Sequence, residues 1–282
     1  MAILIADSGS TKTDWVLLDN GQVLTQCQTI GFNPYFQTSS DIEHEIHAHL
    51  LPAIEKYHSH IDSVAYYGAG CSNEVNVNTV KKGMEGVFGK IATEINHDLL
   101  GAARALCGHE SGIACILGTG SNSCLYNGKE IVENIISVGY LFGDHGSGAC
   151  LGKSFIQNYF DGKLPEHLKI EFEEAGYNRE EILDNVYKRT MPNRYLARVS
   201  GFLAAHISDS YVKGIVKQCF ASFFEVQVSK YTNSKNLPVN SVGSIGFYYK
   251  DLLEEAAHDK GFHIGTVIKS PIEGLIRYHQ SI

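Results

Sequence analysis

No apolar run in this 282-residue chain approaches the roughly 18 to 20 residues needed to cross a bilayer. Nor does the N-terminus carry a basic stretch followed by a long apolar one. The sequence therefore predicts neither a membrane span nor an export leader, and the cytoplasm is the expected compartment. A C-x-x-C pair is also missing. The seven cysteines are scattered at Cys27, Cys71, Cys107, Cys115, Cys124, Cys150 and Cys219. This is neither a disulfide framework nor a zinc or iron–sulfur ligand pattern, and it leaves buried reduced thiols as the expected state. A basic excess is absent too: Lys and Arg number 23 against 31 Asp and Glu, a net charge of −8. Nucleic acids and anionic membranes are bound through clustered cations, so neither is an expected partner.

Apolar residues make up 44% of the chain and charged residues 19%, an ordinary globular composition. The length suits two domains. Ala2 to Ala6 is an apolar run ending at Asp7, and a turn of small residues separates it from a second run, Trp15 to Leu18. Asn20-Gly21 predicts a type I′ hairpin turn into Gln22 to Thr29. The same grammar returns about 110 residues on: the run Gly112 to Leu117, the glycine turn Gly118 to Asn122, a second strand Ser123 to Tyr126 and another Asn-Gly turn at Asn127-Gly128. The pattern predicts two copies of one β-meander, each elaborated with helices into an α/β layer.

Between the copies the periodicity predicts helices near 41–57 and 76–88, strands near 63–68 and 90–95, and a helix from about Leu99. Beyond the second meander it predicts helices over 148–160, 165–175, 179–189, a long stretch 195–231, then a strand 241–245 and helices 249–260 and 271–279. The division falls near 107–112, giving domains 1–109 and 110–282.

The chemistry-bearing residues cluster at strand ends. Gly9, Ser10, Thr11, Lys12 and Thr13 do not form a Walker A loop, because no glycine directly precedes the lysine. A tight turn after Asp7 can nonetheless present N–H groups and hydroxyls to an anion, with the Asp7 carboxylate on a phosphate-bound cation. Gly118, Thr119, Gly120 and Ser121 offer a second close approach of backbone to phosphate. Gly243, Ser244 and Gly246 offer a third. Asp98 precedes an Ala-rich helix and reads either as its N-cap or as a general base. Asp144 in GDHGSG and Asn33 in GFNPY read either as turn-forming residues or as hydroxyl contacts, by virtue of their side-chain acceptors. The three histidines of EHEIHAHL read as a solvated helix face and Cys71 as a buried thiol.

Taken in order, DSGSTKTDW, the Asp98 segment, LGTGSNS, GDHGSG and GSIG resemble the actin-like ATPase superfamily that includes sugar kinases, Hsp70 and actin. More closely, the chain resembles the BadF/BadG/BcrA/BcrD-type ATPase family, in its N-acetylglucosamine kinase branch. The resemblance implies two RNase H-like domains facing each other across a cleft, with the last helix returning to the first domain. It implies ATP and Mg²⁺ as cofactors, with Asp7 at the metal, and a homodimeric assembly. It makes residues 7–13 and 118–121 the two phosphate motifs, 243–246 the adenosine motif, Asp98 the catalytic base, and Asn33, Asn122 and Asp144 the sugar contacts. Two positions depart from the branch: Ser137-Val138-Gly139 stands where Gly-Trp-Gly is usual, and His145 where glutamate is usual. A second activity within the same family is an ATPase that activates a 2-hydroxyacyl-CoA dehydratase, whose shared iron–sulfur cluster needs cysteines this chain does not pair.

Overall fold

The structure is a computed structural model that describes residues 1–9 and 11–281. The chain divides into two compact units. The first comprises Met1–Glu110, Gly128–Glu130 and Pro271–Ile282; the second comprises Ser111–Asn127 and Ile131–Ser270.

The first unit is built on the five-stranded sheet β3-β2-β1-β4-β5, with β1 (Ala2–Ser8), β2 (Lys12–Asp19), β3 (Gln22–Ile30), β4 (Ile61–Gly68) and β5 (Ala92–His97). β1, β2 and β3 form the antiparallel meander, and β4 and β5 join in parallel. Asn20 (φ 47°) and Gly21 (φ 75°) both take left-handed backbone, as the first Asn-Gly turn requires. One face of the sheet, with Leu4, Ala6, Trp15 and Leu17, packs on Ile42, Ile46 and Val80 from the helical segments 39–60 and 74–88. Helices 98–107 and 272–280 pack on the central strands as well. They bring Gly101 against Tyr67 so closely that an added Cβ would sit 2.8 Å from the tyrosine Cβ.

The second unit repeats the arrangement in the order β10-β9-β6-β7-β8, with β6 (Ser111–Leu117), β7 (Ser121–Asn127), β8 (Ile131–Asn134), β9 (Val239–Val242) and β10 (Ile264–Ile268). Again a meander of three is extended in parallel by two strands. The central β6 is apolar on both faces, as a strand covered on both sides must be. Its core is aromatic: Phe155 meets Phe172 edge-on with centroids 5.0 Å apart, and Phe220, Phe223 and Phe224 are fully buried. Helices 148–160 and 192–205 cross at Gly152, where a Cβ would lie 1.9 Å from the Leu196 carbonyl oxygen.

Several sequence expectations need correction. The helix expected at 41–57 runs from 39 to 60 and changes type three times, through a π turn at Ile46–Leu50 and a closing 3₁₀ stretch; Pro52, which has no N–H to donate, lies just beyond the π turn. The second Asn-Gly turn is not type I′, since only Gly128 (φ 94°) is left-handed, and Gly128 to Glu130 all lie in the connection. The stretch 195–231 is two helices, Pro192–Ala205 and Ser210–Val226, because Asp209 caps the second by accepting from the N–H groups of Tyr211 and Val212. The strand placed at 241–245 ends at Val242, and Ser244 already begins a helix. β8 and β10 are additional strands. Of the seven cysteines none forms a disulfide, but Cys27, Cys107 and Cys150 are only partly buried. No helix among the described residues is long and apolar enough to cross a membrane.

Candidate active site

In the first unit the register aligns Ser8 with Gly68 and Gly68 with His97, so the ends of three parallel strands lie in one row. The Ala69 N–H donates to the Ser8 carbonyl at 2.8 Å and closes that end. The Ser8 hydroxyl lies 2.7 Å from that of Thr13 and accepts from the Phe32 N–H at 3.1 Å. Thr13 in turn donates to the Ile30 carbonyl at 3.0 Å. The β1–β2 turn and the chain leading into Asn33 are therefore tied to the same strand end. Within the turn, the Gly9 N–H donates to the Lys12 carbonyl at 3.0 Å. Thr11 is exposed. Ser10, named above with the first phosphate turn, lies outside the described residues.

Asp7 stands directly opposite Asp14 across the hairpin and opposite Tyr67 across β1–β4. Like charges placed opposite each other repel. Burial, then Asp14 and Asp98, push the Asp7 carboxyl up to about 7, with Lys12 pulling the other way. Lys12 itself pairs with Asp14 at 2.8 Å, and Gln28 donates to the same carboxylate at 2.6 Å. Among the described residues no three His, Cys, Asp or Glu side chains are gathered to hold a metal unaided. An all-oxygen pair of opposed carboxylates does fit a hard cation that keeps most of its shell for phosphate and water, and such a cation would relieve the repulsion that raises Asp7.

Asp98 is the first residue of helix 98–107 rather than its cap. The cap position is His97, whose Nδ1 faces both the Leu99 N–H at 3.1 Å and Asp98 Oδ1 at 2.8 Å; without a proton it accepts from Leu99, and with one it donates to Asp98 instead. Burial lowers the His97 pKa, but the hydrogen bond and charge of Asp98 outweigh it and leave a net rise. The protonated His97 therefore pairs with the Asp98 carboxylate. Cys71 is buried, and burial with the Asp98 charge pushes its thiol up to about 12, so it is an inert neighbour. Asn33 forms an Asx turn, its Oδ1 accepting from the Tyr35 N–H at 3.1 Å.

In the second unit three glycine segments meet. The Gly118 N–H donates to the Gly120 carbonyl at 3.0 Å, making the β6–β7 turn tight. The carbonyls of Gly118 and Thr119 accept from the Gly148 and Ala149 N–H groups at 2.9 and 3.1 Å, so the start of helix 148–160 is spent on anchoring that turn. Asp144, buried and at φ 52°, accepts on Oδ1 from the Ser121 N–H at 3.3 Å and from the Ser137 hydroxyl at 2.8 Å. Its Oδ2 lies where a Cβ on Gly120 would come within 2.8 Å, so the turn and the carboxylate fit only with glycine there. Gly243 (φ 123°) backs onto the same turn, since its Cβ would fall 2.4 Å from the Leu117 carbonyl oxygen. Ser244 opens the short helix 244–248, and Gly246 lies against Ser241. The hydroxyls of Ser121 and Ser241 are buried without a partner. Asn122, already on β7, accepts on Oδ1 from the Ser123 N–H and from Asn134.

Sequence reasoning missed three residues of these clusters. Asp14 could have been found from the hairpin itself, since Asp7 and Asp14 are symmetric about the turn. His97 carried a signal in its adjacency to Asp98. Ser137, one of the departures from the branch pattern, reaches Asp144 only through the folded loop and had no local signal.

No family model matches the chain, and no curated protein matches it. Among solved structures, a putative N-acetylglucosamine kinase from Porphyromonas gingivalis is 42% identical, with 99% of each chain covered and a TM-score of 0.92. A second protein of that description, from Chromobacterium violaceum, is 16% identical over 98% of each chain with a TM-score of 0.76. An ROK hexokinase from Thermus thermophilus, 13% identical, covers 99% of this chain and 97% of its own at a TM-score of 0.53. The latter two show the two-domain fold of actin-like ATPases and sugar kinases. At 42% identity over nearly all of both sequences, this chain belongs to the same family as the putative N-acetylglucosamine kinase of P. gingivalis.

Proposed function

We propose that the protein is an ATP-dependent kinase that transfers the γ-phosphate to a hydroxyl, the 6-hydroxyl, of N-acetylglucosamine or a related amino sugar. The whole-length relationship to the P. gingivalis protein carries this reading. The opposed carboxylates in the first unit and the converging glycine turns in the second support it. Phosphoryl transfer demands positioning and charge neutralisation more than covalent help. Asp98 takes the proton of the attacking hydroxyl, and His97 fixes the orientation of that carboxylate. Asp7, with Asp14 opposite, holds Mg²⁺, which when bound offsets charge on the phosphate oxygens. The turns 9–13 and 118–121 hold the phosphates, and Gly243, Ser244 and Gly246 the nucleoside. Asn33, Asn122 and Asp144 hold sugar hydroxyls.

ADP release measured over N-acetylglucosamine, glucosamine, N-acetylmannosamine, N-acetylmuramic acid and glucose tests this. Stimulation by an amino sugar is expected, with Asp98→Asn lowering kcat by about 10²- to 10⁴-fold while ATP binding persists. Turnover unaffected by every sugar would overturn the kinase reading and favour the partner-activating ATPase. Near-normal turnover by Asp98→Asn would remove Asp98 as the base.

A further inference from the structure

Asp144 has fewer acceptor sites to offer a ligand than its two oxygens suggest. The residue is only 7% exposed, and its Oδ1 receives the Ser137 hydroxyl at 2.8 Å and the Ser121 N–H at 3.3 Å. A carboxylate oxygen carries two lone-pair sites, so the protein itself fills Oδ1. Oδ2 accepts from no described residue and is not walled off from solvent. It faces Gly120, where a Cβ would come within 2.8 Å of it. Asp144 also stands at φ 52°, a left-handed backbone that a residue other than glycine keeps only when its surroundings fix it. The two bonds on Oδ1 are part of that fixing.

Ser137 is held in place for this contact. Its hydroxyl oxygen accepts from the Gly139 N–H at 3.4 Å, which leaves the hydroxyl proton for Asp144. Gly139 closes the turn by accepting at its carbonyl from the Gly143 N–H at 2.7 Å. The Tyr140 carbonyl accepts from Lys153 Nζ at 2.9 Å, tying the same turn to helix 148–160. Asn122 is reduced in the complementary sense. Its Oδ1 accepts from the Ser123 N–H at 2.9 Å and from Asn134 Nδ2 at 3.2 Å, which leaves its own amide N–H groups for a ligand. Together Asn122 and Asp144 present one donor group and one acceptor oxygen.

We propose that Ser137 is a specificity-determining positioning residue: by filling Asp144 Oδ1 it makes the carboxylate a one-oxygen acceptor, so that Asp144 recognises a single sugar hydroxyl and not an adjacent pair. Asn122 meets the sugar only as a donor. The sugar that fits turns one hydroxyl proton toward Asp144 Oδ2 and one oxygen lone pair toward the Asn122 amide. Removing the Ser137 hydroxyl reopens Oδ1 and frees the carboxylate to rotate. A second hydrogen-bonding arrangement then competes with the first, and both affinity and selectivity fall. This role of Ser137 rests on the kinase reading, since it acts through the sugar contact at Asp144.

ADP release by the full chain is measured for wild type, Ser137→Ala and Ser137→Thr. The acceptors are the amino sugar that stimulates turnover most and its analogues lacking each ring hydroxyl in turn. Ser137→Ala should raise the sugar KM by about 10-fold, the order lost with one hydrogen bond to a charged group. The change in kcat should be far smaller and the KM for ATP unmoved, the pattern of a lost binding contact. Ser137→Thr keeps the hydroxyl and should restore the sugar KM. A double-mutant cycle of Ser137→Ala against the analogues should show coupling at one hydroxyl: once that hydroxyl is absent, Ser137→Ala has no further effect on KM. Equal coupling at two adjacent hydroxyls would overturn the one-oxygen contact. A wild-type sugar KM in Ser137→Ala, or a raised KM that Ser137→Thr does not restore, would remove Ser137 from specificity while the kinase reading stands. Turnover that no sugar stimulates in wild type would overturn the kinase reading and this role with it.

Discussion

Asp7 and His279 titrate in opposite senses, and each leaves a signature on stability. Asp7 is raised from 3.8 to about 7, so the folded protein without metal holds a proton there that the unfolded chain has released. This contribution is present at low pH and lost as pH rises through 4 to 7. His279 is lowered from 6.5 to about 4 by burial and by Arg104, with Glu94 opposing. Its Nε2 sits 2.9 Å from the Tyr67 hydroxyl, which also accepts from Arg104 at 2.7 Å. Here the unfolded state binds the extra proton, so stability is present above about 6.5 and lost as pH falls toward 4. In metal-free protein the two slopes oppose. His279→Gln should expose a thermal midpoint that declines from pH 4 to 7, and Asp7→Asn one that climbs, by differential scanning fluorimetry; parallel profiles would refute both assignments. Asp7→Asn should also melt higher than wild type above pH 7 while losing turnover. The candidate residues Asp7 and Asp98 were legible because the first ends an apolar run and the second precedes an Ala-rich helix. Asp14 and His97 complete their surroundings through register and capping, and Ser137 reaches Asp144 through a loop contact, none of which a single position announces.

Among elements, the two meanders were legible because an apolar run, a turn of small residues and a second apolar run are local signals. The edge strands β8 and β10 were not. They are four and five residues long and largely unburied, so they carry little apolar pattern. Helix junctions inside an apolar stretch are equally faint: only Asp209 marks the break between helices 192–205 and 210–226. Glycines within the helices 148–160 and 192–205 separate packing from propensity. Gly152 meets the Leu196 carbonyl, whereas Gly201 has open space around it. Gly152→Ala should cost about 1–3 kcal/mol or more through overpacking, and Gly201→Ala should gain up to about 1 kcal/mol through helix propensity. Urea denaturation monitored by circular dichroism distinguishes them, and equal effects would contradict the crossing at Gly152.

On the scale of the molecule, the two sheets share one strand order, and the duplication was visible as a repeated grammar some 110 residues apart. The assignment of 271–281 to the first unit depends on a packing contact: Gly274 lies where a Cβ would come 2.3 Å from the Ala105 carbonyl oxygen. The helix 272–280 buries Leu275 and Ile276, each worth roughly 1.5–3 kcal/mol. Ending the chain at Ser270 should therefore destabilise the first unit selectively. Limited proteolysis should degrade residues 1–110 while a fragment from about 111 to 270 persists; uniform resistance would show that the helix contributes nothing. The same topology orders events at the ribosome. Domains generally fold as units during synthesis, N-terminal first, yet here the first unit takes its final helix only after the whole second unit has been translated. Nascent strands β1 to β5 must therefore wait, with the surface meant for Leu275 and Ile276 uncovered, through the synthesis of the 160 residues from 111 to 270.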